Sequence, residues 1–336
     1  MSPLPRLHPH SFGVRSLAAP LLSAAAGWLV YSRLAIDHSV ALPKALAAEH
    51  THLASAAGKL GYYCDRSGSG RALVLIHGLH SAASAYDMRP LFEHFRGSRP
   101  VYALDLPGFG TSSRRPRGSN KKFTPSLYRD AIAHFLGATQ SAAADVIALS
   151  QSCEFTAMVA ERNPTAIHSL ALLSPTGLNK APAYDHSEPR TTSLRGALAR
   201  RSPLVRQAIF DLLTTRPGLL RALKPSFVAK VDAGLAEYAF LTSHQPDAAT
   251  APLALFSGQL TTAEIFEHAY LQLRRPTLAI YDRDPRTSFE RLPELMAHNE
   301  HWRAIRVVPS RGLPHWDKLP ETVAALEAFW ASISPA

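Results

Sequence analysis

Six short apolar runs punctuate the chain: RALVLIHG at 71–78, RPVYALDLPGFG at 99–110, DVIALS at 145–150, SLALLSPTG at 169–177, PTLAIYDRD at 276–284 and AIRVVPS at 304–310. Their cores are nearly continuous in hydrophobicity and do not alternate with polar residues. That is the signature of a strand buried on both faces, as in a parallel sheet. Helical patterns fall between the runs, at Pro125–Leu136, Glu154–Arg162 and about Pro320–Ser332. Strands that alternate with helices predict the α/β class, a mostly parallel central sheet flanked by helices on both faces. Upstream, a helical, alanine-rich stretch is expected to about Ala57, and YYCDRSG at 62–68 reads as the end of a short hairpin.

The rhythm breaks once. Between 178 and 275 the pattern is helical, with SPLVRQAIFDLLTT and TTAEIFEHAYLQLR as its clearest segments. An inserted helical lid accounts for this interval. The expected organisation is an N-terminal segment at 1–57, a core made of 58–177 and 276–336, and a lid at 178–275. No internal repeat is present.

Composition changes the picture in three places. Hydrophobic residues make up 46% of 336, enough for a large core and too many for a disordered chain. The two cysteines, Cys64 and Cys153, form no disulfide framework, and no Cys/His spacing of a metal site occurs, so neither metal nor cofactor is expected. The net charge is +10, concentrated in RRPRGSNKK at 114–122 and in residues 190–230, which hold nine basic residues against Asp211. Such a surface suits a solvated face or an anionic membrane. Nothing interleaves aromatics with the charge as nucleic-acid binding would require, so no nucleic-acid partner is expected.

Near the N-terminus, SLAAPLLSAAAGWLVYS at 16–32 is uncharged and flanked by Arg15 and Arg33. It is short for a spanning helix, which needs about twenty apolar residues. Three fates stay open: a membrane-associated anchor, a helix packed on the domain, or a cleaved signal. The chain is therefore expected in the cytoplasm or held to a membrane through this helix.

The candidate chemistry centres on DVIALSQSCEF at 145–155, a strand running into serine and then helix. A serine on a sharp strand-to-helix turn needs small residues two places before and after it. With Ser152 as nucleophile the flanks are Ser150 and the bulky, charged Glu154. With Ser150 they are Ala148 and Ser152, both small. Sterics favour Ser150, and Ser152 is the alternative.

On these residues the chain resembles the α/β-hydrolase fold family, over roughly 60–335. VIALSQSCEFTAMVAERNPTAIHSLALLSPTG follows the family's strand–serine–helix layout, with Ala148 and Ser152 in place of the usual glycines. LVLIHGLH is similar to the family's strand-then-HG turn, and LDLPGFGTS to its D-x-P-G-x-G turn, here with Asp105. The resemblance implies a serine hydrolase acting on a small-molecule ester or similar acyl substrate. Ser150 is the nucleophile, and the backbone amides of Leu79 and Gln151 form the oxyanion hole. The acid follows the strand after the lid: Asp284, ahead of Pro285, with Asp282 as runner-up. The histidine follows the last strand. In the family it often stands two residues before a proline, where this chain has Gly312 ahead of Pro314. His315 is the one histidine on that loop and is expected as general base. The altered elbow and displaced histidine also admit a second expectation, a hydrolase-like binding or scaffold protein without catalysis.

Overall fold

The computed structural model describes residues 15–116, 122–180 and 202–333. Residues 117–121 of the basic run, 190–201 of the second basic stretch and 1–14 of the N-terminal segment lie outside the described residues. Eight strands form one sheet: β1 (Glu49–Ser55), β2 (Gly58–Asp65), β3 (Leu73–Ile76), β4 (Val101–Leu104), β5 (Ala144–Leu149), β6 (Ile167–Leu173), β7 (Thr277–Tyr281) and β8 (Trp302–Arg306). Their spatial order is β1-β2-β4-β3-β5-β6-β7-β8. The β1–β2 and β2–β4 pairs are antiparallel, and every other pair is parallel.

The described helices are α1 (Arg15–Leu34), α2 (Arg89–Phe95), α3 (Pro125–Thr139), α4 (Ser152–Arg162), α5 (Pro203–Leu213), α6 (Arg216–Leu223), α7 (Ala233–Ser243), α8 (Thr250–Phe256), α9 (Ile265–His268), α10 (Leu292–His298), α11 (Pro314–Asp317) and α12 (Leu319–Ile333). The continuous apolar runs are explained by the two cores. Val74 and Ile76 of β3, with Val146 and Ala148 of β5, face the core that holds Phe135 of α3 and Phe155 of α4. Leu73 and Leu75, with Ile147 and Leu149, face the opposite core, with Phe92 of α2 and Phe329 of α12. Every position of these strands is thus inward-facing, which is why polar alternation is missing.

Two sequence expectations need correction. The stretch before Ala57 is not helical to its end: β1 begins at Glu49 and pairs with β2 along its whole length. A boundary at residue 57 would cut this hairpin. In β1 burial alternates weakly along EHTHLAS, so tertiary pairing at the sheet edge decides the conformation over alanine's helical propensity. The segment 261–274 is broken as well. Glu264 adopts a left-handed φ of 50°, leaving only the single turn α9 and a short 3₁₀ turn at Tyr270–Gln272.

Between β6 and β7 the described residues contain helices and no strand. α1 packs on this layer: Trp28 Nε1 donates to the Ala208 carbonyl at 2.7 Å, and Ser32 Oγ donates to buried Asp211 at 2.5 Å. No described helix is long and apolar enough to cross a membrane.

Candidate active site

The elbow is built from the sheet upward. β5 lies centrally, between β3 and β6, and ends at Leu149. Ser150 then adopts φ 54°, a left-handed conformation that costs a non-glycine residue about 1–2 kcal/mol. Backbone bonds clamp it there: Ser150 N–H donates to the Leu173 carbonyl at 2.8 Å, and Cys153 N–H donates to the Ser150 carbonyl at 3.1 Å. Ser150 is half-buried and faces a cavity.

Ser152 does not face that cavity. It is fully buried, and its Oγ donates to the His77 carbonyl at 2.6 Å. A serine fits the second small position because its hydroxyl finds this backbone acceptor. Cys153 is likewise buried in packing, with Sγ 3.3 Å from the Ala148 carbonyl, and burial pushes its thiol well above the usual range.

The turn after β3 approaches Ser150 from the other side. A Cβ on Gly78 would lie 3.3 Å from Leu149 Cγ and 3.4 Å from Ser150 Cβ, so this turn lies directly beside the elbow. Leu106 N–H donates to His77 Nε2 at 3.0 Å. The proton of His77 therefore sits on Nδ1, which donates to the Gly78 carbonyl at 2.6 Å. Because the Gly78–Leu79 peptide is planar and trans, a carbonyl held on the His77 side directs the Leu79 N–H the opposite way. Among the described residues, neither the Leu79 N–H nor the Gln151 N–H has a protein acceptor. Asp105 is structural: its buried carboxylate accepts from Ala85 N–H at 2.7 Å and Thr111 N–H at 2.8 Å.

The two candidate acids separate clearly. Asp282 is buried, accepts from Arg306 Nε at 2.7 Å and from Ser310 N–H at 3.0 Å, and so ties the end of β7 to that of β8. Asp284 lines the same cavity as Ser150. It accepts from Arg286 N–H at 2.7 Å, and burial raises its carboxyl above the ordinary value against the opposing pull of that bond.

The expected histidine does not meet Ser150 or Asp284. His315 is fully buried, outside the residues lining that cavity, and its Nε2 donates to the Asp87 carbonyl at 2.8 Å. Burial lowers its pKa to about 4, so the ring is neutral at ordinary pH. It makes no hydrogen bond to Ser150 or Asp284. Gly312 stands next to the acid instead. A Cβ there would lie 2.8 Å from Asp284 Oδ2. Pro314 opens α11 and winds His315 into its single turn, from which the ring reaches the Asp87 carbonyl.

Two cavity residues escaped the sequence reasoning. His80 Nε2 lies 3.0 Å from Asp87 Oδ2, and both line the cavity with Ser150. The signal available was modest: a histidine two residues after HG, and an aspartate in the next turn. The cavity is about 30 Å³, room for only a few water molecules. A wider surface groove of about 430 Å³, between the end of β1 and α3, shares none of these residues.

Comparison with known proteins fits this arrangement. Residues 73–326 match the model of the alpha/beta hydrolase family. The chain is 28% identical over 160 residues to the dihydrolipoyllysine-residue acetyltransferase component of the acetoin cleaving system of Cupriavidus necator, covering 47% of this chain and 39% of that one. It therefore spans less than half of that relative. Similar solved structures include a membrane phospholipase A described as a bacterial virulence factor, at TM-score 0.66 and 19% identity, covering 96% of this chain and 97% of the other. A serine hydrolase involved in carbazole degradation matches at TM-score 0.64 and 15% identity, with 84% and 99% covered. A haloalkane dehalogenase from Agrobacterium tumefaciens matches at TM-score 0.64 and 18% identity, with 84% and 96% covered. At these identities the structures share the fold, and the dehalogenase among them means that the fold alone does not fix the bond cleaved. Sheet order, elbow and sequence match agree: the chain belongs to the alpha/beta hydrolase family.

Proposed function

We propose that this protein hydrolyses an ester or similar acyl bond with Ser150 as the nucleophile. The observation that carries this is Ser150 held at φ 54° in a cavity that Leu79 also lines, with the N–H groups of Leu79 and Gln151 unused by any described protein atom. Strain is kept at such a position where it aims a side chain, and paired free donors suit an oxygen that gains negative charge. A serine in this place, where the family's dehalogenases carry an aspartate, favours acyl chemistry. Leu223 of α6 and Leu235 of α7 close over the cavity, which is too small for an acyl substrate. These helices act as a lid that opens to admit it and then excludes water.

Labelling with a fluorophosphonate probe tests this. Wild type and Ser152→Ala should label, and folded Ser150→Ala should not. A second reading, binding without catalysis, draws on Gly312 standing where the family's histidine is expected. It gains if the folded wild type fails to label.

The exposed apolar side chains Val30, Tyr31 and Leu34 of α1, beside cationic Arg33, support a further proposal, contact with an anionic membrane surface. Sedimentation with anionic vesicles should fall in Tyr31→Asp/Leu34→Asp. Equal sedimentation of this variant and wild type would remove the idea.

A further inference from the structure

We infer that His80, oriented by Asp87, is the general base that serves Ser150, in place of a histidine on the loop after β8. The inference rests on Ser150 being the nucleophile. Three observations carry it. First, the usual place is empty of imidazole: Gly312 fills the position beside Asp284, and His315 is turned to the Asp87 carbonyl. Second, His80, Asp87 and Ser150 line one cavity, and Gly78 and Leu79, the two residues before His80, line it as well. Third, the pairing has the form that a histidine base needs. The Asp87 side chain is 5% exposed and that of His80 17%. Among the described residues His80 is the only side-chain partner of this carboxylate. A buried carboxylate with one partner holds that partner's proton and orientation firmly.

The tautomer follows. A carboxylate only accepts, so His80 Nε2 carries the proton at 3.0 Å from Asp87 Oδ2, and Nδ1 is the basic nitrogen. Its present partner is Ala82 N–H at 3.3 Å, longer than an ordinary N–H bond, which a better-placed donor displaces. This also gives His315 and Trp316 a role. Both donate to the Asp87 carbonyl, at 2.8 Å and 2.7 Å, and so fix the residue that fixes His80. They are positioning residues.

In the reaction, a lone pair of Ser150 Oγ forms the bond to the acyl carbon while the hydroxyl proton passes to His80 Nδ1. The carbonyl π pair moves to oxygen, held by the Leu79 and Gln151 amides. Collapse of this adduct breaks the bond to the alcohol, whose oxygen takes the proton from His80. Water then repeats the sequence on the acyl-enzyme, releasing the acid and restoring Ser150.

The test compares fluorophosphonate labelling rates and p-nitrophenyl ester hydrolysis in the full chain. The proteins are wild type, Ser150→Ala, His80→Gln, His80→Ala with and without imidazole, Asp87→Asn and Asp284→Asn, each checked for folding by thermal melting. His80→Gln is expected to lower the labelling rate about 100-fold or more, the usual contribution of a positioned base. Asp87→Asn should lower kcat with little change in KM. Imidazole should restore part of the rate to His80→Ala and none to Ser150→Ala. Ser150-dependent labelling that stays within threefold in folded His80→Gln, and is not raised by imidazole in His80→Ala, overturns the assignment and leaves Ser150 standing. Loss in Asp284→Asn with retention in His80→Gln gives the base role to Asp284. Wild type that never labels at Ser150 removes the nucleophile and this base together.

Discussion

Gly312→His is the most informative single change. It would return an imidazole to the place where the family carries one, and its cost can be worked from the site. The backbone at Gly312 accepts a side chain, since its φ lies outside the left-handed range. The nearest obstacle to a Cβ is Asp284 Oδ2 at 2.8 Å, followed by Ser226 Oγ at 3.5 Å. The carboxylate is the free end of a rotatable side chain, and moving it a few tenths of an ångström off its rotamer costs about 1 kcal/mol. That is small beside a typical domain stability of about 5–15 kcal/mol, so the variant should fold. The new ring would meet an acid that is already buried and oriented. If the native base is the His80–Asp87 pair, wild type gains little. In His80→Gln, which lacks that base, Gly312→His should recover about 10- to 1,000-fold of the ester hydrolysis rate, within the range of a positioned general base. The recovery should vanish when Asp284→Asn is added. The assay is p-nitrophenyl ester turnover with thermal melts as the folding control. A folded His80→Gln/Gly312→His protein no faster than His80→Gln would refute the placement of Gly312 at the vacant histidine position.

Other changes test the surrounding structure. Glu154 is buried near the start of α4, and burial pushes its pKa up to about 7 from an ordinary 4.5, against the lowering effect of its bond from Thr176. The folded state holds this proton longer than the unfolded chain does, so stability should fall as pH rises from 4.5 to 7, by about 3 kcal/mol in all. Glu154→Gln should flatten that fall in urea titrations at pH 5 and pH 8, and equal slopes in both proteins would contradict it. Buried Asp211 accepts from Ser32 Oγ, from His38 Nε2 at 2.9 Å and from Gln207 Nε2 at 2.7 Å. Asp211→Ala should destabilise the α1–α5 contact by about 2–4 kcal/mol and speed trypsin cleavage at Arg33, which unchanged cleavage rates would rule out. Ser152→Ala should cost about 1 kcal/mol through the lost bond to the His77 carbonyl while leaving labelling intact.

The sheet was the most legible part of the chain. β3 to β7 appear where apolar runs predicted them, because a strand buried on both faces leaves a pattern that no surface element shares, whereas the mostly exposed β8 overlaps its run only at 304–306. β1 was hidden, since an edge strand with one weakly buried face has no such pattern and takes its conformation from β2. The proposed elbow register rests on a local pattern too. Small flanks at Ala148 and Ser152 point to Ser150, and Ser150 has the left-handed φ while Ser152 is buried on a carbonyl. The two aspartates could not be ranked from sequence with the same force. Asp282 and Asp284 are two residues apart at a strand end, and only the position of Arg306 across β7–β8 removes Asp282.

The position of a histidine base is weakly legible in the sequence for a physical reason that applies to the whole fold. The proposed nucleophile and acid follow the ends of β5 and β7, which parallel pairing with β6 keeps in register. The base needs only a ring nitrogen near the serine, and several loops converge there. Spacing on one loop therefore constrains it weakly. His315 matched by loop membership, yet Pro314 starts a helical turn that carries its ring to Asp87. The turn after β3 differs: Gly78, Leu79 and His80 all line the cavity that holds Ser150. Sheet geometry thus makes the β3 turn the better place for a substitute base. A buried aspartate whose one side-chain partner among the described residues is that histidine suits such a substitution.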